Sequence, residues 1–113
     1  MWRMPTSTTR SPIPATTSTH RAAIVGHITI RHAEKWRRYL DGVPGSLVPF
    51  DAEVVMRGKQ QAALNGEQHG TDLVVIRFPD LATVEAWYRS ASYQALIPLR
   101  DEAADVVLTV YAI

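Results

Sequence analysis

The sequence has 113 residues, a length that fits one compact domain. Hydrophobic residues make up 46% of the chain and charged residues 20%, which is typical of globular proteins. Uninterrupted apolar runs such as Leu73–Ile76 are far shorter than the roughly 20 residues of a transmembrane helix, so no membrane span is predicted. Cysteine is absent, which excludes disulfides, thiolate nucleophiles and cysteine zinc sites.

The net charge of +1 hides an asymmetry between the start of the chain and the rest. Residues 1–21 contain Arg3, Arg10 and Arg21 and no acidic residue. The remaining residues carry nine basic against eleven acidic side chains, a net charge of −2. A slightly acidic folded part lacks the electrostatic surface that nucleic acids require, so no nucleic-acid partner is predicted.

Residues 1–21 are rich in hydroxyl residues and proline, with six Thr, three Ser and three Pro. They show no hydrophobic period, and such a segment buries too little apolar surface to offset its ordering entropy. We therefore predict a disordered tail over residues 1–21 and one folded domain over residues 22–113. A solvated tail or an over-extended gene start is favoured over an organellar targeting signal, which the same composition resembles.

The first half of the domain shows a strand, a helix and a weaker strand. Residues 22–30 alternate with Ile24 and Ile28 on one face, which predicts a strand. Apolar residues at helical spacing from 36 to 50 predict an amphipathic helix, with a kink or break near Pro44. A weaker strand is predicted over 51–57, with Val54 and Met56 on one face, and a possible strand extension over 62–64.

The second half repeats this order. Residues 72–78 form the clearest predicted strand, and Asp80 stands where a helix N-cap belongs. Ser92 is predicted to cap a further helical segment, in which Pro98 removes one backbone hydrogen bond. A last strand is predicted over 105–113.

The order β, α, β, β, α, β predicts an α+β fold, the ferredoxin-like sandwich, with helices on one face of a four-stranded antiparallel sheet. The first and third strands then lie in the centre, and their other face is bare. That face carries a mixed set of side chains: Val25, His27, Thr29, Leu73, Val75 and Arg77. Because it is too apolar to face water alone, we expect a homodimer formed through this open face.

Two strings resemble a known family: GHITIRHAEKWRRYL from Gly26, and VVIRFPDLATVEAWYRSASYQALIPLRDEAAD from Val74. They are similar to the family called domain of unknown function 1330, over residues 22–113. The resemblance implies a dimeric α/β barrel, in which two ferredoxin-like subunits pack sheet to sheet. The superfamily includes cofactor-free monooxygenases, isomerases, haem-binding enzymes and stress-responsive proteins, and the family itself has no agreed activity. Fold analogy therefore does not assign a reaction.

This chain departs from the family pattern at Arg77, where an acidic residue is usual before the Phe-Pro pair. The change reverses a charge on a central strand, and its effect on a shared family chemistry is left open. Family members also usually have Gly-Gly before the second strand, where this chain has Phe50 and Asp51, and an Asp at the first helix, where it has His32.

His27 is the candidate general base, since a histidine pKa is easily moved into the working range of proton transfer. Arg77 is expected on the same face of the neighbouring strand, where its charge would hold His27 neutral. The competing interpretation is structural: His27 hydrogen-bonds within a dimer interface, and Arg77 pairs with Glu53 or a partner carboxylate. We favour the structural interpretation.

A ligand site is predicted around Arg100, which falls on the apolar stripe of its helix and needs an anionic or carbonyl partner. Arg77 and Arg100 would hold an anionic group, and Trp87, Tyr88 and Tyr93 would form the walls. Core packing and structural pairing of Arg100 are the favoured alternatives at this stage.

No metal site or cofactor is predicted. The four histidines, His20, His27, His32 and His69, show no metal-binding spacing on a helix. The glycine-rich dinucleotide and phosphate motifs, the hydrolase elbow and the zincin motif are all absent from the sequence.

The sequence thus predicts a small cytoplasmic homodimer that binds a small organic molecule, anionic or aromatic, in a cavity between sheet and helices. The bound molecule could be the substrate of a cofactor-free isomerase or monooxygenase-like activity. The sequence leaves open whether the protein is an enzyme. The alternative is a non-enzymatic dimeric binding or stress-related protein without a catalytic site.

Overall fold

The computed structural model describes residues 20–68 and 70–113, so most of the predicted tail and His69 lie outside the described residues. The strands are β1 (Ala22–Ile30), β2 (Glu53–Lys59), β3 (Asp72–Phe78) and β4 (Ala104–Ala112). The helices are α1 (Ala33–Leu47), α2 (Leu81–Tyr88), α3 (Ala91–Gln94) and α4 (Ile97–Ala103).

The four strands form one antiparallel sheet in the order β2-β3-β1-β4. This confirms the ferredoxin-like prediction, with β1 and β3 in the centre. Ile24 lies opposite Ile76 on one side and Val110 on the other. The helices cover the face that carries these residues, because the two-residue period of a strand sends all even-numbered side chains of β1 to that side. The core therefore lies between this face and the helices.

Strand β2 contains an irregularity that the sequence pattern did not reveal. Its register with β3 shifts between Val54 and Met56, so that Val54 lies opposite Ile76 and Met56 opposite Val75. A bulge of one extra residue reverses the facing of every later side chain. The prediction that Val54 and Met56 share a face is therefore wrong. The predicted strand extension over residues 62–64 is also wrong, since that segment is exposed and irregular.

Helix α1 runs through Pro44 without interruption, so the helix does not break there as one form of the prediction had it. Tyr39, Val43 and Leu47 are all buried on one stripe of the helix, and this packing holds both sides of the proline against the sheet. The helix ends at Leu47 and continues as a 3-10 turn, Val48–Phe50, which ends at a left-handed residue.

Two helices of the second half, α2 and α3, begin at residues whose side chains cap the helix. Asp80 accepts from the Thr83 backbone N–H at 2.8 Å, which confirms the predicted N-cap of α2. Ser90, not Ser92, caps α3 and accepts from the Tyr93 backbone N–H at 3.2 Å. Pro98 lies in the first turn of α4, where a backbone N–H has no helical partner, so the predicted loss of a hydrogen bond does not occur.

Gly26 lies on the covered face of β1, between Val74 of β3 and Leu108 of β4. A Cβ atom at this position would lie 2.8 Å from Val74 Cγ1 and 3.1 Å from Leu108 Cδ2. These two side chains therefore occupy the space that a larger residue would take.

Gly26→Ala is expected to lower the free energy of unfolding by about 1 to 3 kcal/mol, the usual cost of overpacking. Gly45→Ala is the matched control, because a Cβ there meets nothing within 4 Å and alanine favours the helix. Urea unfolding of both variants measures the difference. An unchanged midpoint for Gly26→Ala would show that Val74 and Leu108 move aside without cost.

No helix within the described part of the chain is long and apolar enough to cross a membrane.

Candidate functional site

Two cavities lie between the sheet and the helices. The first, the α1 cavity, has a volume of about 240 Å³ and is walled by α1 residues and Trp87 against the sheet. Its polar side chains come from Tyr39, Arg57 and Asp72. The rest of its lining, apart from Gly58, is apolar: Ile28, Trp36, Leu40, Val43, Val54, Leu73, Val74, Ile76, Trp87, Val106 and Leu108.

The second, the Arg100 cavity, has a volume of about 520 Å³ and lies between α2, α4 and the sheet. Its polar lining consists of Glu85, Tyr88 and Arg100. Its other walls are aliphatic: Ile24, Leu81, Val84, Val106, Leu108 and Val110. The predicted ligand residues Tyr88 and Arg100 thus line the same cavity.

The side chain of Arg100 is only 12% exposed, and it is held by neighbours from three directions. Its Nη1 donates to the Tyr93 hydroxyl at 3.1 Å, and its Nε donates to Asp101 Oδ1 at 3.0 Å. Burial disfavours the charged form, but hydrogen bonds to Tyr88 and Tyr93 outweigh it and raise the pKa of Arg100 above its ordinary value. A fixed positive charge therefore faces the cavity.

Tyr93 is fully buried and links the two cavities by hydrogen bonds. Its hydroxyl lies 2.8 Å from the hydroxyl of Tyr39, which lines the α1 cavity, while Arg100 donates to it from the other side. Burial and the neighbouring Tyr93 raise the pKa of Tyr39 well above its ordinary value. The chain Tyr39–Tyr93–Arg100 thus connects two buried phenol hydroxyls to one nearly buried cation by hydrogen bonds.

The raised pKa of Tyr39 predicts a loss of stability in alkali. The folded state holds this proton where the unfolded chain, with a pKa of 10.0, releases it, so the stabilisation is complete below pH 10 and falls above it. The expected slope for this group is about 1.4 kcal/mol per pH unit. Tyr39→Phe should flatten the pH dependence of the free energy of unfolding above pH 10, measured by urea unfolding. Equal slopes in parent and Tyr39→Phe would contradict this.

Trp87 belongs both to the hydrophobic core and to the wall of the α1 cavity. It is 1% exposed, and its ring centroid lies 4.1 Å from that of Tyr93. Its Nε1 donates to Ser46 Oγ at 3.0 Å, and Ser46 in turn donates to the Val43 carbonyl at 2.7 Å. Every polar atom of this group is satisfied, so the wall of the α1 cavity that Trp87 forms is rigid.

His27 and Arg77 lie on the other face of the sheet, away from both cavities. His27 Nδ1 is 2.7 Å from Gln68 Nε2, and Arg77 Nε donates to Glu53 Oε1 at 2.7 Å. Arg77 is opposite Ala23 in the register with β1, four residues from His27, or about 13 Å along the strand. Arg77 therefore lies beside Glu53 and not beside His27, and its ion pair with Glu53 is the one that the structural interpretation names.

The structure thus separates the predicted site residues into two groups. Tyr88 and Arg100 line one cavity, Trp87 lines the other, and Tyr93 lies between them. His27 lines a shallow depression of about 310 Å³ on the open face. Within the described residues, no group of three or more metal-ligating side chains lies close enough to hold a metal ion.

Tyr39 and Ser46 were missed by the sequence analysis. Both lie on the buried stripe of α1. A signal was present, because a hydroxyl on a buried stripe must find a polar partner. The sequence gives no sign of which partner, since Tyr93 is 54 residues away along the chain.

The fold and the cavities define the class of protein: a ferredoxin-like α+β domain with one open sheet face and a ligand-sized space under its helices. The sequence matches the family described as "Domain of unknown function (DUF1330)" over residues 21–112. The chain therefore belongs to this family, as its sequence resemblance predicted.

Solved structures of other proteins share the fold. A protein of unknown function from Rhodopseudomonas palustris superposes with a TM-score of 0.72 at 17% identity, covering 88% of this chain and 86% of its own. A dimeric ferredoxin-like protein of unknown function from Jannaschia sp. CCS1 gives 0.68 at 8% identity, covering 81% and 98%. SnoaB, a cofactor-independent oxygenase from Streptomyces nogalater, gives 0.59 at 6% identity, covering 83% and 93%. The sequence matches no curated protein.

Proposed function

We propose that this protein is a cytoplasmic homodimer that binds a small organic carboxylate in the Arg100 cavity. The observation that supports this is the Arg100 guanidinium, a nearly buried cation in a cavity whose other polar lining residues are Tyr88 and Glu85. The Glu85 carboxylate is already paired with Arg89 at 3.3 Å, and the remaining walls are aliphatic. A guanidinium carries five N–H donors, more than its contacts with Tyr88, Tyr93 and Asp101 use, and its fork matches the two oxygens of a carboxylate.

The size and lining of the cavity support the same ligand class. Ligand pockets commonly measure roughly 300 to 1,000 Å³ and combine apolar walls with a few polar groups, as this cavity of about 520 Å³ does. The aliphatic walls suit a hydrocarbon or aromatic body, and Arg100 with Tyr88 suits a carboxylate at one end. Asp101 is exposed, so water screens its ion pair with Arg100. An incoming carboxylate therefore competes with a weakened ion pair.

The homodimer part of the proposal rests on the open face of the sheet. Met56, Val107 and Tyr111 on that face are 47%, 58% and 50% exposed, and Val25 and Val75 form its centre. A contiguous apolar surface on a small domain indicates an interface. The related fold from Jannaschia sp. CCS1 is described as dimeric, which supports the same arrangement here.

Binding by Arg100 does not require turnover, so the proposal covers an enzyme and a non-enzymatic binding protein alike. An isomerase or a cofactor-free oxygenase would need a base, and His27 stays the proposed base. It would act on a substrate held in the depression on the open face, where a partner sheet would enclose it, and not on a carboxylate in the Arg100 cavity on the other side of the sheet.

The test compares a carboxylate with its neutral isostere. Benzoate is expected to raise the melting temperature by several degrees at saturation, because a ligand that binds only the folded state stabilises it by mass action. Benzamide, which has the same shape and no charge, should have a much smaller effect. Equal shifts with both compounds, or none with a panel of aromatic and aliphatic carboxylates, would contradict the proposed function.

A further inference from the structure

The α1 cavity and the Arg100 cavity share a wall formed by Val106 and Leu108 of β4. The strand register shows where they meet. Ile24 of β1 lines the Arg100 cavity and Ile28 lines the α1 cavity, and Gly26 lies between these two on the same face. Leu108 is directly opposite Gly26. The boundary between the cavities is therefore at the pair Gly26 and Leu108.

This boundary consists of side chains and not of backbone. Gly26 contributes no side chain, and the space above it is occupied by the ends of Leu108 and Val74, at 3.1 and 2.8 Å from where a Cβ would lie. Leucine has two rotatable side-chain bonds with several allowed rotamers, whereas valine is stiff. Leu108 is also half-buried and has a cavity on each side, so its side chain has space to adopt another rotamer.

We propose that Leu108 is a movable partition, and that its displacement joins the two cavities into one elongated site for a carboxylate with a long apolar tail. The carboxylate binds Arg100, the tail passes over Gly26, and its end lies between Trp36 and Trp87 in the α1 cavity. This inference rests on the proposed function, because it names the ligand class of the same Arg100 site.

The geometry and the lining set the length dependence. Ile24 and Ile28 are four residues apart, about 13 Å along the strand, so only a ligand longer than a single ring reaches both cavities. The α1 cavity offers chiefly aliphatic and aromatic walls, and each methylene buried there strengthens binding about four-fold.

The experiment measures calorimetric dissociation constants for a series of straight-chain carboxylates: butanoate, hexanoate, octanoate, decanoate and dodecanoate. In the parent protein, affinity is expected to rise about four-fold per methylene through the longer members. In Leu108→Phe, which thickens the partition, the rise should stop at the member that fills the Arg100 cavity. In Leu108→Ala, the rise should persist to the longest chains. Leu64→Phe, at a 99% exposed position, is the control for the added ring and should follow the parent.

The outcomes separate this inference from the proposed function. If short carboxylates bind but the parent affinity stops rising within the series, or Leu108→Phe follows the parent, then the movable partition is wrong and the Arg100 site stands. If no carboxylate of any length binds, the proposed function and this inference both fail. Circular dichroism of each variant confirms that it is folded. If Leu108→Phe does not fold, the length dependence of the parent protein supplies the test.

Discussion

Val75→Asp is expected to leave the protein monomeric at micromolar concentrations at which the proposed dimer of the parent protein forms. Val75 lies at the centre of the open face, opposite Val25 on β1 and Met56 on β2. A two-fold interface contains each substituted residue twice, so two carboxylates would be buried without partners. At about 2 kcal/mol each, the two charges weaken dimerisation roughly a thousand-fold.

Light scattering over a concentration series measures this effect. Val48→Asp is the matched control, because Val48 is 75% exposed, follows α1 in the helix layer and lies away from the open face. It should remain dimeric. A parent protein that is already monomeric at micromolar concentration would contradict the dimer proposal, and a Val75→Asp protein that stays dimeric would move the interface to another surface.

Replacing Arg100 by glutamine is expected to weaken benzoate binding by about ten-fold or more while leaving benzamide binding nearly unchanged. A hydrogen bond to a charged group contributes about 1.5 to 3 kcal/mol, and the fork of Arg100 supplies such bonds to both carboxylate oxygens. Glutamine retains a donor for the Tyr93 hydroxyl, so the buried tyrosine pair keeps a partner.

Arg100→Lys separates the contribution of the positive charge to carboxylate binding from that of the planar guanidinium. Lysine keeps the positive charge but not the planar fork, so an intermediate affinity is expected. Arg38→Gln is the control, since Arg38 is an exposed arginine of α1, paired with Glu34 and remote from the Arg100 cavity. Titration calorimetry gives the dissociation constants. If benzoate binds Arg100→Gln as tightly as the parent, the Arg100 cavity is not the carboxylate site.

The strands and helices of the fold could be predicted from the sequence because the patterns that indicate them lie within short segments of the chain. The alternation of apolar and polar residues predicted the bounds of β1 and β3 closely. Asp80 indicated the start of α2, because it caps the helix by accepting from Thr83, only three residues further along the chain. The predictions that were wrong concern features that depend on contacts between distant parts of the chain. The bulge in β2 depends on pairing with β3, and the continuity of α1 through Pro44 depends on packing against the rest of the core.

The positions of some residues of the candidate site could be predicted. Arg100 was identified because a charge on an apolar stripe demands partners, and the structure supplies them. His27 and Arg77 were placed in the same hypothesis although the strand period assigns them to the opposite face from the cavity. No local pattern could reveal the contact between Tyr39 and Tyr93 or the shared cavity wall at Leu108, since both arise only when distant segments meet.

The open face and the cavities lie on opposite sides of one sheet, and this has a consequence for ligand titrations. In the proposed dimer the two Arg100 cavities point away from each other, with two sheets about 10 Å apart between them. Neither ligand touches the other subunit. We therefore expect a binding isotherm with a Hill coefficient of one and a stoichiometry of one ligand per chain.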